Sequence, residues 1–96
     1  MPAESRLRTA IVKALSNYSG YWIVTHQSGT QEKGLPDILG CYAGFFFGIE
    51  VKVPGKRHTL TKRQEVVLEK IRRAGGKAGV VTSVQEAFDF AFGQPP

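Results

Sequence analysis

Cysteine is nearly absent from this sequence: Cys41 is the only one in 96 residues, so no disulfide can close within the chain. A disulfide-stapled secreted scaffold is therefore excluded, and a reducing compartment is expected. Histidine is almost as scarce, with His26 and His58 the only two. Together with Cys41 they lack the spacing of a structural zinc site, so zinc is not expected. Long apolar runs are missing as well. The segment up to Leu15 alternates charge with small apolar groups, so neither a signal peptide nor a membrane span is expected, and the reading is cytoplasmic. Acids are few: eight Asp and Glu stand against thirteen Lys and Arg, a formal charge of +5 with a pI near 9.7. That excess favours a polyanionic partner.

What is present is ordinary globular composition, 42% hydrophobic and 22% charged. It excludes disorder, collagen and coiled coil, and at this length it implies one domain over residues 1–96. No internal repeat, linker or low-complexity segment interrupts it. Leu7, Ala10, Ile11, Ala14 and Leu15 recur at helical spacing, predicting a first helix from about Glu4 to Ser16. Tyr21 to His26 is aromatic and β-branched, as strands favour, and Gln27 to Gly34 is a polar, Gly-containing loop. Leu35–Tyr42 and Phe45–Val53 are apolar runs around Ala43-Gly44, which predicts a hairpin.

Pro54 to His58 then forms a basic, exposed turn. Thr61 caps a second helix carrying Val67, Leu68 and Ile71, with Gly75 just past its end. Lys77 to Thr82 supplies a last strand beside the hairpin. Ser83 opens a last helix, with Ser83 to Glu86 fitting a capping box. The predicted order is α-β-β-β-α-β-α, an α/β fold with a mixed sheet flanked by helices. Phe88, Phe90 and Phe92 exceed what one small helix needs to dock, which suggests a dimer interface.

The chemistry concentrates in Gly34-Leu35-Pro36-Asp37 and Glu50-Val51-Lys52. A turn about Ala43-Gly44 opposes Tyr42 to Phe45, Ile38 to Ile49 and Asp37 to Glu50. Opposed side chains lie about 4.5–5.5 Å apart at Cβ, where like charges repel. Lys52 falls on the same face as Glu50 and softens that repulsion, and two clustered carboxylates also suit a hard divalent cation such as Mg²⁺. The other face carries Phe45, Phe47, Ile49, Val51 and Val53. Gly48, on the acidic side, leaves room for something to approach. A structural ion cluster remains the competing reading of these three residues.

The turn has a soft point, because Ala43 does not favour the positive φ of a two-residue hairpin loop; a four-residue loop would keep the pairing, whereas a three-residue loop with a bulge would move one acid to the other face. Glu4 lies in phase with the inward stripe of the first helix and is either a third ligand or an acid favouring a helix N-terminus. Gln64 is either a site residue or half of the Thr61 capping box.

These segments resemble the PD-(D/E)xK nuclease superfamily, Pro36-Asp37 and Glu50-Val51-Lys52 matching the two halves of its motif. Within it, Gly34-Leu35-Pro36-Asp37, Glu50-Val51-Lys52, Leu60-Thr61-Lys62-Arg63-Gln64 and Gly75-Gly76 are similar, in order, to the VRR-Nuc (virus-type replication-repair nuclease) domain, whose standalone form occurs in bacteriophages. The likeness runs from the first helix to the final strand. It implies a restriction-endonuclease-like fold in which Asp37 and Glu50 bind Mg²⁺ or Mn²⁺ with the Val51 carbonyl, and Lys52 supports the attacking water. It places Gln64 at the active site and matches Glu4 to the acid found on the first helix of many members. Archaeal Holliday junction resolvases share this plan. The resemblance further implies a homodimer that cuts branched DNA in a bacterial or phage-infected cell. Ile38 replaces another apolar residue there and affects nothing.

Phosphate contacts are expected from Lys56, Arg57, Lys62 and Arg63, and from Ser28 and Thr30 in the polar loop. Two other classes compete with a nuclease. One is a non-catalytic nucleic-acid-binding module of the same fold; the other is an interaction protein that uses its basic face on RNA or another polyanion.

Overall fold

The computed structural model describes residues 2–25 and 32–93. The expectations placed on His26, Ser28 and Thr30 lie outside those residues. Seven elements follow one another in the expected order: α1 (Ala3–Tyr18), β1 (Tyr21–Val24), β2 (Ile38–Tyr42), β3 (Phe45–Val51), α2 (Lys62–Arg73), β4 (Lys77–Val81) and α3 (Val84–Phe92), with a short 3₁₀ turn at Arg57–Thr59 before α2. The sheet is mixed. Its order is β1-β2-β3-β4, antiparallel at the first two junctions and parallel between β3 and β4, where α2 makes the crossover.

The hairpin register is the expected one, with Tyr42 opposite Phe45 and Ile38 opposite Ile49. It holds because the turn stays at two residues. Ala43 takes φ 53° and Gly44 φ 83°, both in the left-handed region that such a turn demands. Ala43 accepts the strain of that conformation so that both strands keep their apolar faces inward. The strands are shorter than the apolar runs, since β2 starts only at Ile38 and β3 ends at Val51.

Residue alternation divides the sheet into two faces. Trp22, Ile38, Phe47, Ile49, Val51 and Val81 point to one of them and pack with Ile11 and Leu15 of α1 and with Ala87 and Ala91 of α3. Each large apolar side chain so buried contributes roughly 1.5–3 kcal/mol. Ala10, at the rim of the α1 stripe, is exposed.

Helix α2 covers part of the other face. A Cβ at Gly48 would sit 2.6 Å from Ile71 Cδ1 and 3.1 Å from Pro36 Cγ, so the clearing expected at Gly48 is filled by the docked helix. Tyr21, Ile23 and Phe46 remain exposed on that face.

Two further expectations change. Ser83 Oγ accepts from Glu86 N at 3.0 Å, but the Glu86 carboxylate accepts from Thr82 N at 2.8 Å rather than closing the box on Ser83. The reason is Arg57, whose guanidinium holds the same Glu86 oxygen at 2.6 Å. The α3 phenylalanines are also used within the chain. Phe88 and Phe92 pack on Tyr18 with ring centroids 4.8 and 4.6 Å away, Phe92 meets Tyr42 at 4.7 Å, and Phe90 meets Phe47 at 5.9 Å. They close the α1–α3 side of the core, so they no longer argue for a dimer interface.

Candidate functional site

Asp37 sits just before β2 and Glu50 near the end of β3, so the hairpin brings the two acids together at its open end. Asp37 Oδ2 accepts from Val51 N at 2.9 Å, and the Glu50 carboxyl lies within hydrogen-bonding reach of Asp37. Both acids are removed from water: Asp37 is 9% exposed and Glu50 2%. Burial, the hydrogen bond to Asp37 and the Asp37 charge together push the Glu50 carboxyl up to about 9, against a weaker opposing pull from Lys52. In the absence of a cation, Glu50 therefore holds its proton at neutral pH.

Glu50 Oε2 is fully buried and has no hydrogen-bond partner among the described residues. A buried oxygen left unpaired costs about 1–3 kcal/mol, which makes it the clearest sign that something else completes this site. Hard oxygen donors on two adjacent carboxyl groups fit a divalent cation such as Mg²⁺ or Mn²⁺.

The Val51 backbone is placed to contribute. Lys52 N donates to Val81 O across the β3–β4 junction at 3.0 Å, so the neighbouring Val51 peptide groups face the Asp37 side, with the N–H already bound there. Lys52 is itself 8% exposed, on the same face as Glu50 and close enough for its charge to favour the ionised carboxyl.

The acids open into a cleft of about 550 Å³ that also carries Glu4, Arg8, Arg63 and Gln64. Gly34 shapes it. With φ 81° and a would-be Cβ only 2.8 Å from Arg63 O, this position admits no side chain, and the loop before Asp37 can lie directly on the start of α2.

Gln64 forms the expected capping box and also lines the cleft. Its Oε1 accepts from Thr61 N at 2.9 Å while Thr61 Oγ1 accepts from Gln64 N at 3.1 Å, completing the capping box.

Glu4 reaches the cleft but not the acid pair. Among the described residues, no three acids, histidines or cysteines converge into a metal-holding group. The reason is Arg8, which stands between them: its NH1 lies 3.3 Å from Glu4 Oε1 and 3.6 Å from Asp37 Oδ1, and its NH2 donates to Ser5 Oγ at 2.9 Å. The signal for Arg8 in the sequence is its spacing, an arginine four residues after Glu4 on one helix, which by itself indicates only a helix-surface ion pair.

The basic residues divide. Arg63 lines the cleft, and Lys62 and Lys56 are exposed near the start of α2. Arg57 is spent elsewhere, donating to Val80 O at 2.8 Å and pairing with Glu86, which ties the 3₁₀ turn to the β4–α3 junction. No described helix is long and apolar enough to cross a membrane. In comparisons with known proteins, no family model matches the chain and no curated protein is significantly similar to it.

Proposed function

We propose that this protein is a metal-dependent endonuclease of the PD-(D/E)xK type, similar to a standalone VRR-Nuc domain, which hydrolyses phosphodiester bonds in branched or otherwise structured DNA. One observation carries the reading: a buried carboxyl oxygen on Glu50, without a partner among the described residues, beside the Asp37 carboxylate at a cleft with basic walls. The order of motifs along the chain supports the same class.

Asp37 and Glu50, with the Val51 carbonyl, would hold Mg²⁺ or Mn²⁺. Such an ion, when bound, acidifies a water and relieves charge on the phosphoryl oxygens. The chain's own residues do the rest. Glu50 gives up its proton on loading, and the Val51 N–H keeps the Asp37 carboxylate oriented. Lys52 supports the attacking water or the charge growing on the phosphate. Gln64, its oxygen fixed by the cap, orients substrate through its amide nitrogen.

Arg63, Lys62 and Lys56 neutralise backbone phosphates, a sequence-independent attraction that salt weakens. Arg57, already bound on both arms, contributes less to this contact than the sequence implies. A cytoplasmic site of action and a homodimer complete the proposal. In the homodimer, a second copy would cover exposed Tyr21, Ile23 and Phe46.

The test is incubation with labelled linear, flapped, nicked and four-way DNA in Mg²⁺ and in Mn²⁺, beside the Glu50→Gln protein. Cutting of branched DNA by the wild type alone, with binding retained in the variant, is the expected result. Binding without cleavage in either ion would favour a non-catalytic module, and cleavage that persists in the variant would remove the site.

A further inference from the structure

Arg8 places a fixed positive charge inside a site that otherwise suits a metal ion. Its guanidinium bridges Glu4 Oε1 at 3.3 Å and Asp37 Oδ1 at 3.6 Å, and its side chain is 24% exposed. The third contact, to Ser5 Oγ at 2.9 Å, anchors the guanidinium one turn back on α1. Asp37 therefore has one oxygen on the Val51 N–H and the other facing a cation supplied by the protein. Glu50 lines the same cleft, and its buried Oε2 has no hydrogen-bond partner among the described residues.

We infer that Arg8 is a built-in counter-cation that competes with the divalent ion for Asp37 and keeps Glu4 outside the metal site. The inference rests on the metal-site reading of Asp37 and Glu50. Two cations facing one carboxylate oxygen repel each other, so loading the ion requires the guanidinium to yield. Removing the guanidinium leaves Glu4 and Asp37 less compensated and the cleft more negative, which raises its affinity for a divalent cation. The sign separates this role from a structural one, because a residue that merely braced the site would weaken metal binding when removed. Arg8 is in this sense a positioning residue that sets the metal concentration at which the site fills.

The experiment is calorimetric titration of Mn²⁺ into the wild-type protein, Arg8→Ala, Arg8→Lys and Glu50→Gln, without DNA. Arg8→Met, which retains the aliphatic stem, replaces Arg8→Ala should the alanine variant unfold. The expected result is Mn²⁺ binding about fivefold or more tighter in Arg8→Ala or Arg8→Met, within the usual range for two ligands coupled through one site. Arg8→Lys, which restores a charge, should stay near the wild-type value. Unchanged or weaker binding in the Arg8 variants, with Glu50→Gln abolishing it, overturns the inference and leaves the metal site standing. Binding that survives Glu50→Gln undiminished, or no binding by any of the proteins, overturns both.

Discussion

The backbone N–H of Val51 donates to the Asp37 side chain across 2.9 Å, so the residue between Glu50 and Lys52 orients the acid that precedes the neighbouring strand. This bond makes Asp37 a structural residue as well as a candidate ligand. Asp37→Asn keeps an acceptor for the Val51 N–H and should fold normally while losing metal-dependent cleavage. Asp37→Ala leaves a buried donor unpaired and should in addition cost about 1–3 kcal/mol in urea denaturation. Equal stabilities for the two variants would show that the bond is not formed in solution.

Glu50 gives the metal-free protein a definite pH dependence. Its folded value, about 9, lies above the ordinary 4.5, so between those two values the folded protein holds a proton that the unfolded chain has released. The stability due to this carboxyl is complete below the lower value and is lost as pH rises through the upper one. Denaturation midpoints of the metal-free protein should therefore fall from mildly acidic to alkaline pH. Glu50→Gln should flatten that decline and, near pH 8, exceed the wild type by an amount on the order of a few kcal/mol. A wild-type curve rising across this range would contradict the buried, protonated state.

Ala43 occupies a conformation that glycine adopts freely, with φ 53°. Ala43→Gly should stabilise the fold by about 0.5–1 kcal/mol, since relief of left-handed strain outweighs the added freedom of the unfolded chain. Because the turn lies at the far end of the hairpin from the acids, cleavage should be unchanged. Thermal unfolding of the variant checks the sign.

Gly34 is the converse case. Gly34→Ala adds a Cβ within 2.8 Å of the Arg63 carbonyl oxygen in a backbone conformation with φ 81°, so the loop and the start of α2 must move apart. A loss of about 1–3 kcal/mol is expected, together with weaker DNA binding as Arg63 and Gln64 leave the cleft wall. Circular dichroism melting and fluorescence anisotropy measure the two effects separately.

The order of elements, the mixed sheet and the hairpin register were legible in the residues. The reason is that each depends on local signals: helical spacing around Ile11 and Leu15, β-branched runs, caps at Thr61 and Ser83, and the Ala43-Gly44 turn. The pairing of Asp37 with Glu50 followed from the register alone. Three features were not legible because each depends on residues far apart in the chain. Gly48 is filled by Ile71 of α2, Arg57 is captured by Glu86 and the Val80 carbonyl, and the α3 phenylalanines are taken up by Tyr18, Tyr42 and Phe47.

The same division applies at the site. Sequence by itself determined which acids meet once the turn is two residues long, because strand alternation then leaves one register that keeps the apolar residues inward; the left-handed Ala43 that holds the turn at that length belongs to the structure. Only the tertiary structure decided what surrounds them: how deeply Glu50 is buried, that its Oε2 lacks a partner among the described residues, and that Arg8 rather than a third carboxylate stands beside Asp37. Burial and charge arise from packing between α1, α2 and the sheet end, and no spacing along one segment encodes the distance between separate elements.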